Sequence, residues 1–379
     1  MPVYFDNNAT TRLDPRVLEA MLPYLSGPYG NASSLHRFGR AARDAVEHAR
    51  EQLAQLVNCQ PREIIWTSGG TESDNLALKG VTEGARPSRL LYGATEHPAV
   101  LEAAESLRAR GWQVDTVAVG DDGVIDWPRF ERQLAAGATR LVSLMRANNE
   151  TGVIQDVARA AELVHAAGAW LHVDAVQACG KIVVDFARLQ ADLMSVSSHK
   201  IYGPKGMGAL IVRAEVELHP LHHGGVQERG LRGGTENVAS IVGFGAAAEL
   251  AAQELGSRAA HVRDLRERLE RGLHALPDAR IFAGHVERLP NTVQFAIAGY
   301  EGEALLMQLD RQGFAVSSGS ACASGRGEPS HVLLGMGIAR EIAEGAIRVS
   351  FGKDNTEAEV DRFLAALAGL TRPTAMAAR

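Results

Sequence analysis

The feature that most constrains this chain is an alternation, from about residue 33 to 250, of short apolar runs with longer helix-like stretches. The runs at 63–67, 89–93, 113–119, 140–145, 169–173, 193–196 and 209–213 all have strand length. Several are apolar on both faces, which suits strands of a mostly parallel sheet buried under helices. One helical stretch between them is 157–167. Upstream, Ser33 or Ser34 is placed to cap a helix carrying Leu35, Phe38, Ala42, Val46, Ala49, Leu53 and Leu56 on one face. Polar, glycine-bearing segments mostly follow the strands, and ligands collect at those carboxyl ends in open α/β sheets.

The pattern then changes. Asn237 to about Leu276 reads as one or two long helices, followed by shorter elements and a closing helix at 357–370. We expect an N-terminal segment, 1–14, packing with the smaller domain. A large α/β domain follows over 15–256, and a smaller α+β domain over 257–379. Hydrophobic residues make up 46% and charged residues 22%, the balance of a globular chain, and a net charge of −6 argues against a nucleic-acid or membrane-surface binder. No apolar run reads as long enough to span a bilayer, and the first residues lack the order of a signal peptide, so a cytoplasmic location is expected. Three cysteines, Cys59, Cys179 and Cys322, are an odd, low count that argues against a disulfide framework. His219, His222 and His223 lack an accompanying ligand set and read as loop histidines, so no metal is expected.

Four segments carry chemistry. In Ser195-Val-Ser-Ser-His-Lys200 a strand runs out into a lysine, followed by a glycine-rich turn. A desolvated lysine there would keep the neutral amine that a Schiff base needs; otherwise it is a surface lysine in a turn. Asp174 ends the apolar run Trp170-Leu-His-Val-Asp174. A carboxylate so placed needs a partner, such as a pyridinium nitrogen, unless it caps the next turn. Thr67-Ser-Gly-Gly-Thr71 passes from strand to helix start, an anion cradle suited to a lone phosphate, or else an ordinary turn. The segment 317–329 holds Cys322 among four serines, three glycines and an arginine, with no large apolar anchor. It is expected to be mobile, with a reactive thiolate. Cys59 and Cys179 read as buried structural thiols.

Together these segments resemble the cysteine desulfurase family, pyridoxal-phosphate enzymes of the class V aminotransferase group. The resemblance runs from Tyr4-Phe-Asp-Asn-Asn-Ala-Thr-Thr11 to Ile347-Arg-Val-Ser-Phe-Gly352. It includes Ser68-Gly-Gly-Thr-Glu-Ser-Asp-Asn75, Thr95-Glu-His97, Asn148-Asn-Glu-Thr-Gly152, Asp174-Ala-Val-Gln177, Ser198-His-Lys-Ile-Tyr-Gly-Pro-Lys-Gly206, Gln227-Glu-Arg-Gly-Leu-Arg-Gly-Gly-Thr-Glu-Asn237 and Ser317-Ser-Gly-Ser-Ala-Cys322. The extended cysteine loop is similar to that of the branch serving iron–sulfur cluster assembly and nitrogen fixation.

The resemblance implies the fold-type-I aminotransferase architecture, with a mostly parallel seven-stranded sheet in the large domain. It also implies pyridoxal 5'-phosphate as cofactor and L-cysteine as substrate, in a homodimer serving a sulfur-acceptor or iron–sulfur scaffold protein. Lys200 would bind the cofactor, Asp174 would pair with its ring nitrogen, Gln177 would reach the ring hydroxyl, and His97 would stack on the ring. Gly70, Thr71, Ser197 and His199 would hold the phosphate, and Thr235 would reach the phosphate of the other subunit. Asn149 and Arg348 would bind the substrate carboxylate, Arg348 as a fork, with help from Asn31. Lys200 would move the Cα proton, and Cys322 would take the sulfur as a persulfide. Gly70, Ala32 and Gly233 depart from residues frequent in relatives, and the short C-terminal tail puts one route of scaffold docking in doubt. Selenocysteine lysis or transamination on the same fold is the alternative activity; a non-catalytic scaffold is the alternative class.

Overall fold

The structure is a computed structural model that describes residues 2–318 and 328–371. Its strands in chain order are β1 (Val3–Tyr4), β2 (Ile64–Thr67), β3 (Arg89–Gly93), β4 (Gln113–Val117), β5 (Thr139–Met145), β6 (Trp170–Asp174), β7 (Leu193–Ser197), β8 (Gly208–Val212), β9 (Ala279–Ile281), β10 (Thr292–Ile297), β11 (Phe314–Ala315) and β12 (Ala346–Ser350). The helices of the first part are α1 (Pro15–Ser26), α2 (Arg37–Val57), α3 (Gly70–Thr82), α4 (Pro98–Ser106), α5 (Trp127–Ala135), α6 (Val157–Ala166) and α7 (Phe186–Leu189). Then come α8 (Val238–His274), α9 (Gly302–Arg311), α10 (His331–Gly335), α11 (Arg340–Ala343) and α12 (Glu357–Leu370).

The seven apolar runs become one seven-stranded sheet in the order β2-β8-β7-β6-β5-β3-β4. Only β8 is reversed, pairing antiparallel with both β2 and β7. Because the other strands are parallel, they deliver their C-terminal ends to one edge. β8 packs tightly at that edge: a side chain at Gly208 would come within 2.6 Å of the Gly69 backbone, so only glycine lets the strand pass the turn into α3.

A second sheet, β12-β10-β9, is antiparallel, and β1 pairs in parallel with β11. Its core gathers Phe5, Phe314, Phe351 and Phe363, with ring centroids from Phe5 to Phe351 5.0 Å apart and edge-on. The first strand of the chain therefore completes the core of the last part. Truncating Phe5 there would cost about 3–5 kcal/mol. The two apolar cores share α8. Its first half buries Ile241, Phe244, Ala248 and Ala251 against the large sheet, and its second half buries Val262, Leu265, Leu269 and Leu273 in the small core. By length and composition α8 meets the criterion for a bilayer span, which the sequence reading had not expected of any run; these burials make it a core helix.

One boundary is corrected. α2 starts at Arg37, capped by His36 Nδ1 accepting from Gly39 N, and not at Ser33 or Ser34. Asn31 closes a turn first, its Oδ1 accepting from Ser33 N at 2.8 Å. Leu35 and Phe38, expected on the buried face, are 83% and 40% exposed.

Candidate active site

Five strand ends and the turns after them meet in one cavity of about 190 Å³. Its lining includes Gly70 and Thr71 from the start of α3, His97 after β3, Asn149 after β5, Asp174 and Gln177 at and after β6, and Ser197, His199 and Lys200 at and after β7. Nine of the residues expected at the site thus stand together. An adjoining cavity of about 150 Å³ shares His97, Asn149, Gln177 and Lys200 and adds Arg348, His331, Glu150 and Asn8. Asn31 and Thr235 line neither cavity and are exposed. The segment around Thr235 is still anchored beside the cradle: Arg232 Nε donates to Glu72 Oε1 at 3.0 Å, while Ser68 N donates to Glu72 Oε2 at 2.8 Å. Cys322 lies outside the described residues.

Lys200 Nζ donates to Asn8 O at 2.5 Å and Ala9 O at 2.8 Å. His97 caps α4, its Nδ1 accepting from Ala99 N at 3.1 Å, so a neutral ring carries its hydrogen on Nε2. Burial, then the charges of Lys200 and His331, push His97 down to about 4. Burial also pushes His199 down to about 4; its Nδ1 is 3.1 Å from Thr10 Oγ1. Both rings are neutral at neutral pH.

Asp174 belongs to a buried acidic group at the cavity, and its other members, Asp74 and Glu96, carried no role in the sequence analysis. Asp174 Oδ1 accepts from Val176 N at 2.8 Å, and burial raises its carboxyl to about 6. Asp74 and Glu96 are buried beside it, and burial and the charge of Asp174 push both well above the usual carboxylate range. His172 bridges Ser143 Oγ (2.8 Å) and Ser195 Oγ (2.9 Å), and burial drives it down to about 3. Neutral forms of Asp74, Glu96 and His172 let them stay buried beside Asp174 without mutual repulsion.

Arg348, 1% exposed, spends Nη1 on Asn149 O (3.0 Å) and Nη2 on Asp6 Oδ1 (2.6 Å). The fork expected for substrate is therefore partly engaged within the protein. Its Nε is buried without a partner among the described residues. Glu150 Oε2 accepts from Ser330 Oγ (2.5 Å) and Gln294 Nε2 (3.1 Å), and burial raises its carboxyl. Cys59 and Cys179 are pushed up to about 12 by burial and stay thiols. Among the described residues no group of His, Cys, Asp and Glu is set to hold a metal ion.

The class-V aminotransferase pattern matches residues 3–363. The chain belongs to the class-V aminotransferase family. Within that family it is 46% identical over 372 residues to a cysteine desulfurase of Gluconacetobacter diazotrophicus, covering 97% of this chain and 93% of that one. Among solved structures it superposes on a NifS-like protein with a TM-score of 0.92 at 42% identity, covering 98% and 99% of the two chains. It also superposes on SspA in complex with cysteine, with a TM-score of 0.82 at 30% identity over 93% of this chain and all of that one. Such agreement over nearly the whole length makes the class-V scaffold, and not a single motif, the basis for reading the site.

Proposed function

We propose that this chain is a cysteine desulfurase that converts L-cysteine to L-alanine, holding pyridoxal phosphate on Lys200 and receiving the sulfur on Cys322. The observation that carries the reading is the cavity in which Lys200, Asp174, Gln177 and His97 meet the start of α3. The pocket fits the cofactor's chemistry. Ser197 Oγ is buried there with no partner among the described residues, a donor suited to an anion, and Gly70 and Thr71 open a helix whose N-terminus favours a phosphate. Asp174 is the carboxyl that would meet the ring nitrogen, and Gln177 and His97 would border the ring.

When bound, pyridoxal phosphate supplies an electron sink for the bond broken at the substrate Cα. The chain's own residues do the rest. Arg348 and Asn149 hold the carboxylate, with Arg348 kept in place by Asp6. Lys200 Nζ takes the Cα proton and returns one later. His97 stays neutral and can pass a proton at Nε2. The Cys322 thiolate attacks the substrate sulfur: an S–S bond forms, the C–S bond breaks, and its electron pair leaves with the carbon that becomes alanine's methyl. The persulfide then goes to a sulfur-acceptor or iron–sulfur scaffold protein.

A homodimer completes the reading. Leu22 and Leu25 on α1, Tyr29 and Leu35 after it, and Phe38 at the start of α2 are 40–87% exposed, as is Val226 on the segment leading to Thr235. An apolar surface of this kind suits a second copy of the chain, which would bring its Thr235 to the first copy's phosphate. The test is product analysis. Protein loaded with pyridoxal phosphate should turn yellow and, with L-cysteine and a reductant, release alanine and sulfide one-to-one. Release of a keto acid in place of alanine would overturn the assignment.

A further inference from the structure

Lys181 follows Gly180 in the turn after β6. Gly180 has φ of +72°, and a side chain there would meet Ile201 Cγ2 at 2.5 Å, so the turn that presents Lys181 depends on glycine. Lys181 Nζ donates to Gln177 Oε1 at 2.5 Å and to Asn8 Oδ1 at 3.0 Å. Both acceptors line the site described above.

These bonds fix the polarity of two side-chain amides. Asn8 Oδ1 also accepts from Asn291 Nδ2 at 3.0 Å, and Asn8 Nδ2 donates to Asn149 O (3.0 Å) and Thr292 Oγ1 (2.9 Å). Asn8 cannot flip without breaking all of them. Gln177 is held in the same way. Its Nε2 donates to Asn8 O at 2.9 Å, and a backbone carbonyl only accepts. Its Oε1 faces the N–H groups of Lys181. One N–H of Gln177 Nε2 remains beyond these bonds, on a residue lining both cavities.

We infer that Lys181 is a positioning residue that locks Gln177 so that it offers an N–H, and not a carbonyl oxygen, to the ring oxygen of the bound cofactor, favouring that oxygen's anionic form. The inference rests on the proposed cofactor reading. Burial, then the charges of Lys200 and Arg348, hold the Lys181 ammonium well below the ordinary lysine range. An amine that has lost its proton still keeps two N–H groups, enough for both bonds, so the lock does not depend on the charge. Without Lys181, Gln177 Oε1 would lose its donor, and the amide could turn its oxygen toward the ring. The anion would lose its donor, and the cofactor would hold its proton to higher pH.

The experiment titrates the visible absorbance of the pyridoxal-phosphate-loaded protein against pH. Lys181→Met should raise the midpoint by about one pH unit, and Gln177→Ala should raise it similarly. If Lys181 acts through Gln177, the double variant should rise no further than the larger single effect. An unchanged midpoint in Lys181→Met, or a full sum in the double variant, would overturn the inference. Should Lys181→Met fail to fold, Lys181→Gln still offers an N–H: a wild-type midpoint is expected, and a rise equal to that of Gln177→Ala would overturn the claim. A wild-type protein that takes up no cofactor would instead sink the reading of the pocket, and this inference with it.

Discussion

The cofactor side and the substrate side of the site are built differently. On the cofactor side, Thr71, His97, Asp174, Ser197 and Lys200 each lie at, or a few residues beyond, the end of a strand in one parallel sheet. The sheet's register brings their backbones together, and the N-terminal segment adds the Asn8 and Ala9 carbonyls that receive Lys200 Nζ. On the substrate side, Arg348 from β12 meets Asp6 and Asn149, 342 and 199 positions away, and Asn8 ties Asn149 to Asn291 and Thr292. That half exists only when the first strand, the large sheet and the small sheet are all in place. A site split in this way should lose its two halves separately.

The largest expected effect is on the cofactor side. Lys200→Ala should abolish visible absorbance and turnover, a loss of roughly a thousandfold or more. Normal turnover would remove the lysine from the chemistry. Co-expression with Thr235→Ala sharpens the point: hybrid dimers should regain one intact site of two, and hybrids no more active than either parent would rule out shared sites.

Next comes the substrate side. Arg348→Lys keeps the charge but loses the second arm, leaving either Asp6 or the Asn149 carbonyl without its partner. KM for L-cysteine should rise about 10- to 100-fold with cofactor absorbance intact. If absorbance were lost as well, the two halves would be one unit and the contrast would fail.

A smaller effect tests the buried acids. The Asp174 carboxyl titrates near 6 when folded, against 3.8 for the free group. The folded protein therefore holds a proton that the unfolded chain has already lost, and stability of the cofactor-free protein should fall as pH rises from about 4 to about 6. Asp174→Asn should flatten that slope in thermal melts. An unchanged slope would mean that Asp174 is not the group responsible.

The same contrast explains what was legible in the sequence. The sheet strands were found within about two residues because an apolar run bounded by turn residues is a local signal, and the closing helix 357–370 matches α12. Asp174 stood out because it ends an apolar run, and Lys200 because it follows one by a few polar residues before a glycine-rich turn. Asn8, Lys181, Glu150 and His331 carried no assigned role, although two of them lie inside quoted motifs. Their work is done through contacts with remote segments, such as Ser330 reaching Glu150 from 180 positions away. The misplaced start of α2 has a nearer cause: Asn31 spends the local hydrogen bonds on a turn before the helix can begin.

The central claim is that sulfur passes through Cys322. Mass spectrometry of the protein after a single turnover with L-cysteine tests it most directly. The peptide containing Cys322 should carry one additional sulfur, whereas Cys59 and Cys179, kept as thiols by burial, should carry none. Cys322→Ser should keep the yellow cofactor and respond to L-cysteine, yet form no persulfide. Additional sulfur on Cys59 or Cys179, or undiminished turnover by Cys322→Ser, would contradict the account.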